Sequence, residues 1–373
     1  MKTEPEIRKG LEGVIADVTA ISLVDGEGGR LFYRGYSIEE LVKRRFAEVV
    51  HLVLFGSLPD ATRLAEVENY LWEAGHLPQE LATSLRELAR HGAHPMVTLQ
   101  SITPLLSLDP PERHLGRTLE EEEGLVVAAR LPAAIALIHA ALRDHPEHPY
   151  PHARRYGERY LGLMNGGTPT SAQIEAFEGM QIMQLEHSFN ASTFTARTVT
   201  STLAPPSCAL SAAIGALYGP LHGGADQAAV EMAYGIGDPA RARQFVTDAL
   251  AAGRIVMGMG HREYRQVDPR SKLIRAMAEL VATDSEHRRL FDTLRAVDTA
   301  FIEQTASKKR VLRANLEFYK GIVCLSLGIP KEFFTTTFAA ARSFGWVAHI
   351  AEQRADNRLI RPAARYVGPS PRA

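Results

Sequence analysis

From about residue 38 to about residue 360, apolar residues recur three and four positions apart with polar faces between them. This is the period of helices that each bury one side. Segments 60–75, 78–92, 125–144, 170–185, 226–234, 239–252, 271–282, 285–307 and 331–353 each read as a single helix. Proline and glycine divide them at Gly56-Ser-Leu-Pro59, His94-Pro95, Asp109-Pro-Pro111, Gly166-Gly-Thr-Pro169, Gly219-Pro220 and Gly328-Ile-Pro330. Before the helices, residues 11–35 alternate short apolar runs with glycine-rich turns and read as one or two short hairpins. Ser37-Ile-Glu-Glu40 follows as a capping box, a hydroxyl and a carboxylate placed to satisfy backbone donors at a helix start. The acidic run Glu120 to Glu123 reads as a solvated helix start, where negative charge suits the dipole. Nothing repeats at a fixed period, which argues against a solenoid. The expected fold class is mainly α.

Helices alone form few deep pockets, so chemistry belongs in a cleft between two helical domains. The polar, glycine-rich breaks near 187–192, 219–226, 258–270 and 313–321 should line it. Composition narrows what the cleft handles. The chain has 373 residues, enough for about two domains. Lys plus Arg number 42 against 43 Asp plus Glu, a balance that argues against a nucleic-acid surface. Cys208 and Cys324 lie far apart, outside any CxxC spacing, which excludes a disulfide scaffold or zinc knuckle and fits a reducing cytoplasm. The N-terminus has no apolar core of a secretory signal, and no uninterrupted apolar run reaches ~18 residues, so no membrane span is expected.

Four of the polar breaks carry chemistry. In Gly258-Met-Gly-His261-Arg-Glu-Tyr-Arg265-Gln-Val-Asp-Pro-Arg270, two glycines bring backbone close to something just before a histidine, and an arginine follows behind an Asp-Pro turn. The histidine can donate to a carbonyl oxygen as charge builds on it, and the arginine fork can hold a carboxylate. That fits a small oxo-acid; a glycine-hinged turn with a surface histidine fits the same residues. Gly219-Pro-Leu-His222-Gly-Gly-Ala-Asp226 sets His222 in a tight turn before a helix, where positive potential disfavours imidazolium. A neutral histidine there suits stabilising an enol or enolate, or merely caps the helix. Arg313-Ala-Asn315-Leu-Glu317-Phe-Tyr-Lys320-Gly321 offers one carboxylate among apolar neighbours, a usable base if desolvated and otherwise an ordinary helix-start glutamate. Glu186-His187-Ser-Phe-Asn190-Ala-Ser192 follows a histidine with hydroxyls and amides that could contact a carboxylate or orient a second histidine.

In this order, the four elements resemble the citrate synthase family. The resemblance extends from Gly10-Leu-Glu-Gly-Val14 and Tyr33-Arg-Gly-Tyr-Ser-Ile-Glu-Glu-Leu41 to Ala341-Arg342-Ser-Phe-Gly-Trp-Val-Ala-His349 and Arg361-Pro-Ala-Ala-Arg-Tyr-Val-Gly368. The short form is similar to the dimeric branch of many bacteria and archaea, whose close relatives include 2-methylcitrate synthases. The resemblance implies a two-domain helical fold: a large domain (1–221 and 325–373) that dimerises, and a smaller mobile domain (222–324) that closes over the cleft. It implies condensation of acetyl-CoA with oxaloacetate, with acyl-CoA as co-substrate and no permanently bound cofactor or metal. By matching positions, His222 would hold the thioester oxygen, His261 would polarise the ketone, and Glu317 would be the base. Arg270, Arg342 and His187, with Arg361 from the partner of a homodimer, would bind the oxo-acid carboxylates. Arg265, Lys308, Lys309 and Arg310 would meet CoA phosphates, and the backbone around Val256, Gly258 and Gly260 its adenine.

The sequence departs from the family pattern close to the chemistry. The family base is an aspartate in Asn-Val-Asp-Phe-Tyr-Ser-Gly; here Glu317 adds a methylene and Lys320 replaces the serine. The longer side chain moves its oxygens by roughly 1 Å, a displacement that can cost about 10²-fold where near-attack geometry matters. Asp226 replaces an asparagine, Glu263 a valine or isoleucine, and Gln184-Leu-Glu-His187-Ser188 a His-Ala-Asp-His-Glu stretch. Lys320 is expected to pair with Glu317 and lower its pKa, weakening it as a base. Two readings remain open: a citrate synthase with an adjusted base, or a paralogue that has weak activity, takes another acyl-CoA, or only binds CoA or oxaloacetate. The retained arginines favour a dicarboxylate.

Overall fold

Three short strands open the fold of the computed structural model, which describes residues 7–307 and 312–370. Strands β1 (Ser22–Asp25), β2 (Arg30–Tyr33) and β3 (Tyr36–Ser37) form an antiparallel sheet in chain order, with Ser22 opposite Tyr33 and Phe32 opposite Ser37. The expected hairpins are therefore one meander. Helices follow: α1 (Ile38–Leu41), α2 (Phe46–Phe55), α3 (Ala61–Ala74), α4 (Gln79–Arg90), α5 (Pro95–Ile102), α6 (Leu119–Leu142), α7 (Tyr156–Asn165) and α8 (Ser171–Leu185). The chain continues through α9 (Ala191–Ser201), α10 (Pro206–Tyr218), α11 (Ala225–Ile236), α12 (Ala242–Ala251), α13 (Pro269–Val281), α14 (Ser285–Thr305), α15 (Leu316–Ser326) and α16 (Phe334–Ala355). Helices stand at all nine expected segments. The spacing had not singled out α2, α5, α7, α9, α10 or α15.

Several of the helices begin where a polar side chain takes up an unpaired backbone donor. Ser37 accepts from the Glu40 N–H (3.3 Å), Asp60 from Arg63 (2.8 Å), and Thr170 forms a full capping box with Gln173. Pro95, Pro206 and Pro269 occupy first helical positions, where no N–H is needed.

Helices α6 and α16 form the centre of the core. They pack on each other, and α16 also touches α2, α8, α9 and α10. Every residue from Phe334 to Ile350 on α16 is buried. By length and composition α6 is apolar enough to cross a membrane, but its apolar surface is enclosed by the other helices.

Its acidic start corrects one expectation. Glu121 and Glu122 are buried rather than solvated. Glu122 accepts from the Tyr70 hydroxyl (2.5 Å) and from the backbone N–H groups of Leu115 (2.9 Å) and Gly116 (2.8 Å). The run therefore ties the loop before α6 to α3, a contact no local pattern reveals.

Helices α11 to α15 pack mostly on one another: α11, α13 and α14 against α15, and α12 against α14. They meet the rest chiefly through α8, which α13 and α15 both touch. A side chain at Gly321 would run into Val230, so its absence lets α15 approach α11 closely. The functional residues gather along this seam.

Candidate active site

The loop before α13 and the start of α15 are locked together by backbone. Gly260 donates to the Arg313 carbonyl (2.7 Å), Asn315 donates to that of Gly258 (2.9 Å), and the Asn315 amide reaches the Gly260 carbonyl (2.8 Å). This places the histidine loop beside Glu317, as the glycines implied. Gly258 has φ +78°, and a Cβ there would stand 2.7 Å from Phe318 Cδ2 and 3.0 Å from its Cα. Gly258→Ala is therefore expected to destabilise the fold and to raise KM for the oxo-acid, measurable by chemical unfolding and steady-state kinetics.

Asp268 is the buried hub of this corner. Its carboxylate takes two bonds from the Arg270 guanidinium, to Nε and a terminal nitrogen (both 2.9 Å). It also accepts from the backbone N–H of Arg270 (3.0 Å), capping α13, and from that of Leu316 (3.1 Å) at the start of α15. One carboxylate thus orients the arginine and fixes two helix starts. Burial opposes the charge on both partners. Their mutual attraction outweighs it, holding the Asp268 carboxyl below its ordinary range and Arg270 above its own.

His261 sits beside that guanidinium. Its Nδ1 faces the backbone N–H groups of Glu263 (3.1 Å) and Tyr264 (3.3 Å), so Nδ1 carries the lone pair and the ring proton is on Nε2. Nε2 stands 3.3 Å from a terminal nitrogen of Arg270. Two donor groups thus lie side by side, an arrangement suited to one oxygen that accepts from both. Burial, then Arg270, lower the His261 pKa to about 4. His187 completes the group: its Nε2 meets the Tyr264 hydroxyl (3.1 Å), and its ring centroid lies 5.4 Å from that of His261. Its pKa falls well below the ordinary value through burial and through Arg270, His261 and Arg342. A shallow pocket here is lined by Gly260, His261, Arg265, Asp268, Arg313 and Asn315.

Arg342 enters from α16, buried, with its Nε on the Gln184 carbonyl (2.5 Å) and its guanidinium 4.8 Å from the centre of the Phe338 ring. Behind it lies the fully buried Glu186, which accepts from Ser22 Oγ (2.9 Å) and meets His349 Nε2 (3.0 Å). Burial pushes this carboxyl up, but His349, Arg342 and Ser22 more than offset that. Ser188, next after His187, holds a left-handed φ of 51°, tied by its N–H to Glu186 (2.5 Å) and Ser22 (3.0 Å).

His222 precedes α11. The Ser192 N–H donates to its Nε2 (3.3 Å), which leaves the ring proton on Nδ1, and the Ser192 hydroxyl lies 2.8 Å from Nε2. The pKa is lowered to about 4, as the sequence implied, but burial is the largest cause and Arg342 and Lys320 add to it. The helix start alone does not explain the shift.

The Lys320 expectation holds only in part. Lys320 does pair with Glu317, but its ammonium also lies 3.0 Å from Asp226 on α11. Burial raises the Glu317 pKa and Lys320 lowers it; Asp226 raises it again, and the net direction is upward. Glu317 is the more basic for its surroundings, with its side chain still 18% exposed.

Of the remaining expected site residues, Val256 and Gly258 are buried, and Gly260 is partly exposed on the same loop. Arg265 is exposed and bonded to Glu27 (2.7 Å). Lys308, Lys309 and Arg310 lie outside the described residues. Arg361 is exposed in the segment after α16, which has no regular structure, and it does not join the buried cluster. Ser192, in the hydroxyl-rich stretch after His187, does orient a second histidine, His222, whereas Asp268, Tyr264 and the anchoring role of Glu186 are not marked by the sequence. Only the Asp-Pro turn before Arg270 hinted at Asp268.

This geometry can be set beside known proteins. The family described as "Citrate synthase, C-terminal domain" matches residues 10–363. The chain belongs to the citrate synthase family. It is 35% identical to citrate synthase 2 of Bacillus subtilis, over 97% of this chain and 96% of that one. It is also 35% identical to the 2-methylcitrate synthase of Shewanella oneidensis, over 97% and 95%. Among solved structures, citrate synthase from Thermoplasma acidophilum, in complex with carboxymethyl coenzyme A and oxaloacetate, superimposes with a TM-score of 0.90. That match has 29% identity and covers 99% of this chain and 98% of the other. The mainly helical architecture expected from the sequence is thus a citrate synthase fold.

Proposed function

We propose that this enzyme condenses acetyl-CoA with oxaloacetate and water to give citrate and CoA. The observation that carries the reading is the convergence of two neutral histidines, one carboxylate of raised pKa and two buried arginines on a single cleft. Arg270 and Arg342, with His187, bind the oxo-acid's carboxylates. The ketone oxygen accepts from His261 Nε2–H, which polarises the carbon for attack. His222 donates from Nδ1 to the thioester oxygen as Glu317 removes a proton from the adjacent methyl group. The methylene carbon then bonds to the ketone carbon, and water cleaves the thioester. Neutral histidines suit both oxygens, because charge on each develops only as the reaction proceeds.

Arg265, Lys308, Lys309 and Arg310 are assigned to the CoA phosphates, and the backbone at Val256, Gly258 and Gly260 to its adenine. Helices α11 to α15, within 222–324 for most of their length, are assigned to a smaller domain that closes on the remainder. A homodimer, with Arg361 reaching the partner's oxo-acid, is supported by the exposed apolar residues Val97, Leu105, Leu108 and Leu203 and by the tail residues Leu359, Tyr366 and Val367. A cytoplasmic location is supported by the two cysteines, neither of them in a disulfide.

A second reading, 2-methylcitrate synthesis from propionyl-CoA, is supported by the equal identity to relatives of both names. The acyl groups differ by one methylene, worth only ~1–3 kcal/mol of discrimination. Thiol release from acetyl-CoA and from propionyl-CoA, each with and without oxaloacetate, decides. Release that requires oxaloacetate is expected, and the larger kcat/KM names the substrate. No oxaloacetate-dependent release from either would instead mark the chain as a binding paralogue.

A further inference from the structure

Three departures that look independent in the sequence meet at one point. Lys320 lies between Asp226 and Glu317, 3.0 Å from the first and in direct ion-pair contact with the second. The family pattern at these positions is asparagine, serine and aspartate; here it is Asp226, Lys320 and Glu317. Both sets carry one net negative charge. The lengthened base is thus accompanied by a cation that takes up its position and by a second anion that balances the cation. We propose that Asp226, Lys320 and Glu317 act as one unit, in which Lys320 positions the carboxylate of the base and Asp226 keeps Lys320 compensated while that carboxylate is neutralised by the proton it removes. The proposal rests on the assignment of Glu317 as the base.

The geometry supports each role. Glu317 and Lys320 are three apart on α15 and share a face. The Lys320 ammonium is 1% exposed and lies 4.5 Å from the centre of the Phe338 ring, so it has little water to fall back on. When the C–H proton moves to Glu317, the electron pair passes into the enol system at the thioester oxygen, facing His222. An ammonium paired only with Glu317 would then lose its counter-charge inside the protein. Asp226, fully buried and placed on α11, still holds it. The other charged or titratable groups that act on this cluster are Arg270 from α13, Arg342 from α16, Cys324 from α15 itself and His222 before α11. None of them lies between the lysine and its two partners.

The test compares the pH dependence of kcat/KM for acyl-CoA in wild type, Asp226→Asn, Lys320→Ser and the double variant. Asp226→Asn leaves Lys320 acting on Glu317 alone, so the acidic limb moves to lower pH and the plateau falls. Lys320→Ser leaves two carboxylates facing each other, so the limb moves to higher pH by about one unit or more. The double variant removes cation and second anion together, so its limb returns toward the wild-type position. Adding Glu317→Asp to it restores the family's trio and recovers turnover relative to Lys320→Ser. Shifts in the same direction, no shifts, or losses in the double variant that multiply those of the singles would overturn the proposal.

Wild-type activity separates this outcome from the functional reading. Should wild type release no thiol, that reading fails and thermal unfolding against pH judges the unit by itself. Lys320→Ser should then lose stability progressively as pH rises through the raised carboxylate pKa, and the double variant should regain it. A pH-independent loss common to both would overturn the proposal. If the lysine variants do not fold, Asp226→Asn, which keeps the side-chain shape, carries the test through the direction of its limb.

Discussion

Glu317→Gln is expected to lower kcat by about 10²–10⁴-fold, the range set by loss of a general base, with KM for oxaloacetate nearly unchanged. Glutamine fills the same space and can turn its amide oxygen toward Lys320, but it cannot accept a proton at neutral pH. Lys320 retains Asp226, so the buried ammonium stays paired and the fold should hold. The oxo-acid groups Arg270, His261 and Arg342 do not depend on Glu317 for their hydrogen bonds. A fall in kcat at constant thermal midpoint and constant KM for oxaloacetate is therefore the signature of a base. A matching fall in stability would mean that Glu317 is structural. Glu317→Asp should also lose turnover, by about 10²-fold for a displacement near 1 Å, because Lys320 is placed for the longer side chain.

Asp268→Ala is expected to destabilise the protein by about 3–5 kcal/mol, the usual consequence of removing one partner of a buried ion pair. Arg270 would remain buried with its charge uncompensated, and the N–H groups of Arg270 and Leu316 would lose their acceptor. Catalysis suffers as well, because the two bonds to this carboxylate are the charged contacts that orient the Arg270 fork, beside a contact to the Met183 carbonyl and the neighbouring His261 and Tyr264 rings. KM for oxaloacetate should rise steeply while KM for acyl-CoA changes little. The sign with pH follows from the lowered Asp268 carboxyl. Its contribution is present above the ordinary carboxylate range and lost as pH falls through its own lower value. The stability gap between wild type and Asp268→Ala should thus persist from neutral pH to about pH 4 and shrink below it. Denaturant unfolding across that range measures it.

Both predictions turn on Asp268 and Lys320, and these two show where sequence reading stops. Motifs with local causes were legible: the glycines before His261 and around His222 exist to place backbone, and the backbone goes where they imply. Helices with one polar face were legible too. Helix α10, rich in alanine, has a weak stripe to delimit it, and α9 is a short threonine-rich helix whose residues individually favour strand. The role of Asp268 was hidden because one of its acceptor bonds reaches α15, outside its own motif. The sign of the Glu317 shift was misread for the same reason. Lys320 is its neighbour in sequence, whereas the burial that chiefly outweighs it, and Asp226, which adds to that burial, come from parts of the chain distant in sequence.

The central claim is that this cleft removes a proton from the acyl methyl group and joins that carbon to the ketone of oxaloacetate. Wild-type enzyme supplied with oxaloacetate and acetyl-CoA carrying three methyl deuteriums tests it directly by mass spectrometry of the product. The account predicts citrate that retains two deuteriums, formed in step with CoA release and abolished in Glu317→Gln. CoA released with acetate that keeps all three deuteriums, or citrate formed equally well by Glu317→Gln, would contradict it.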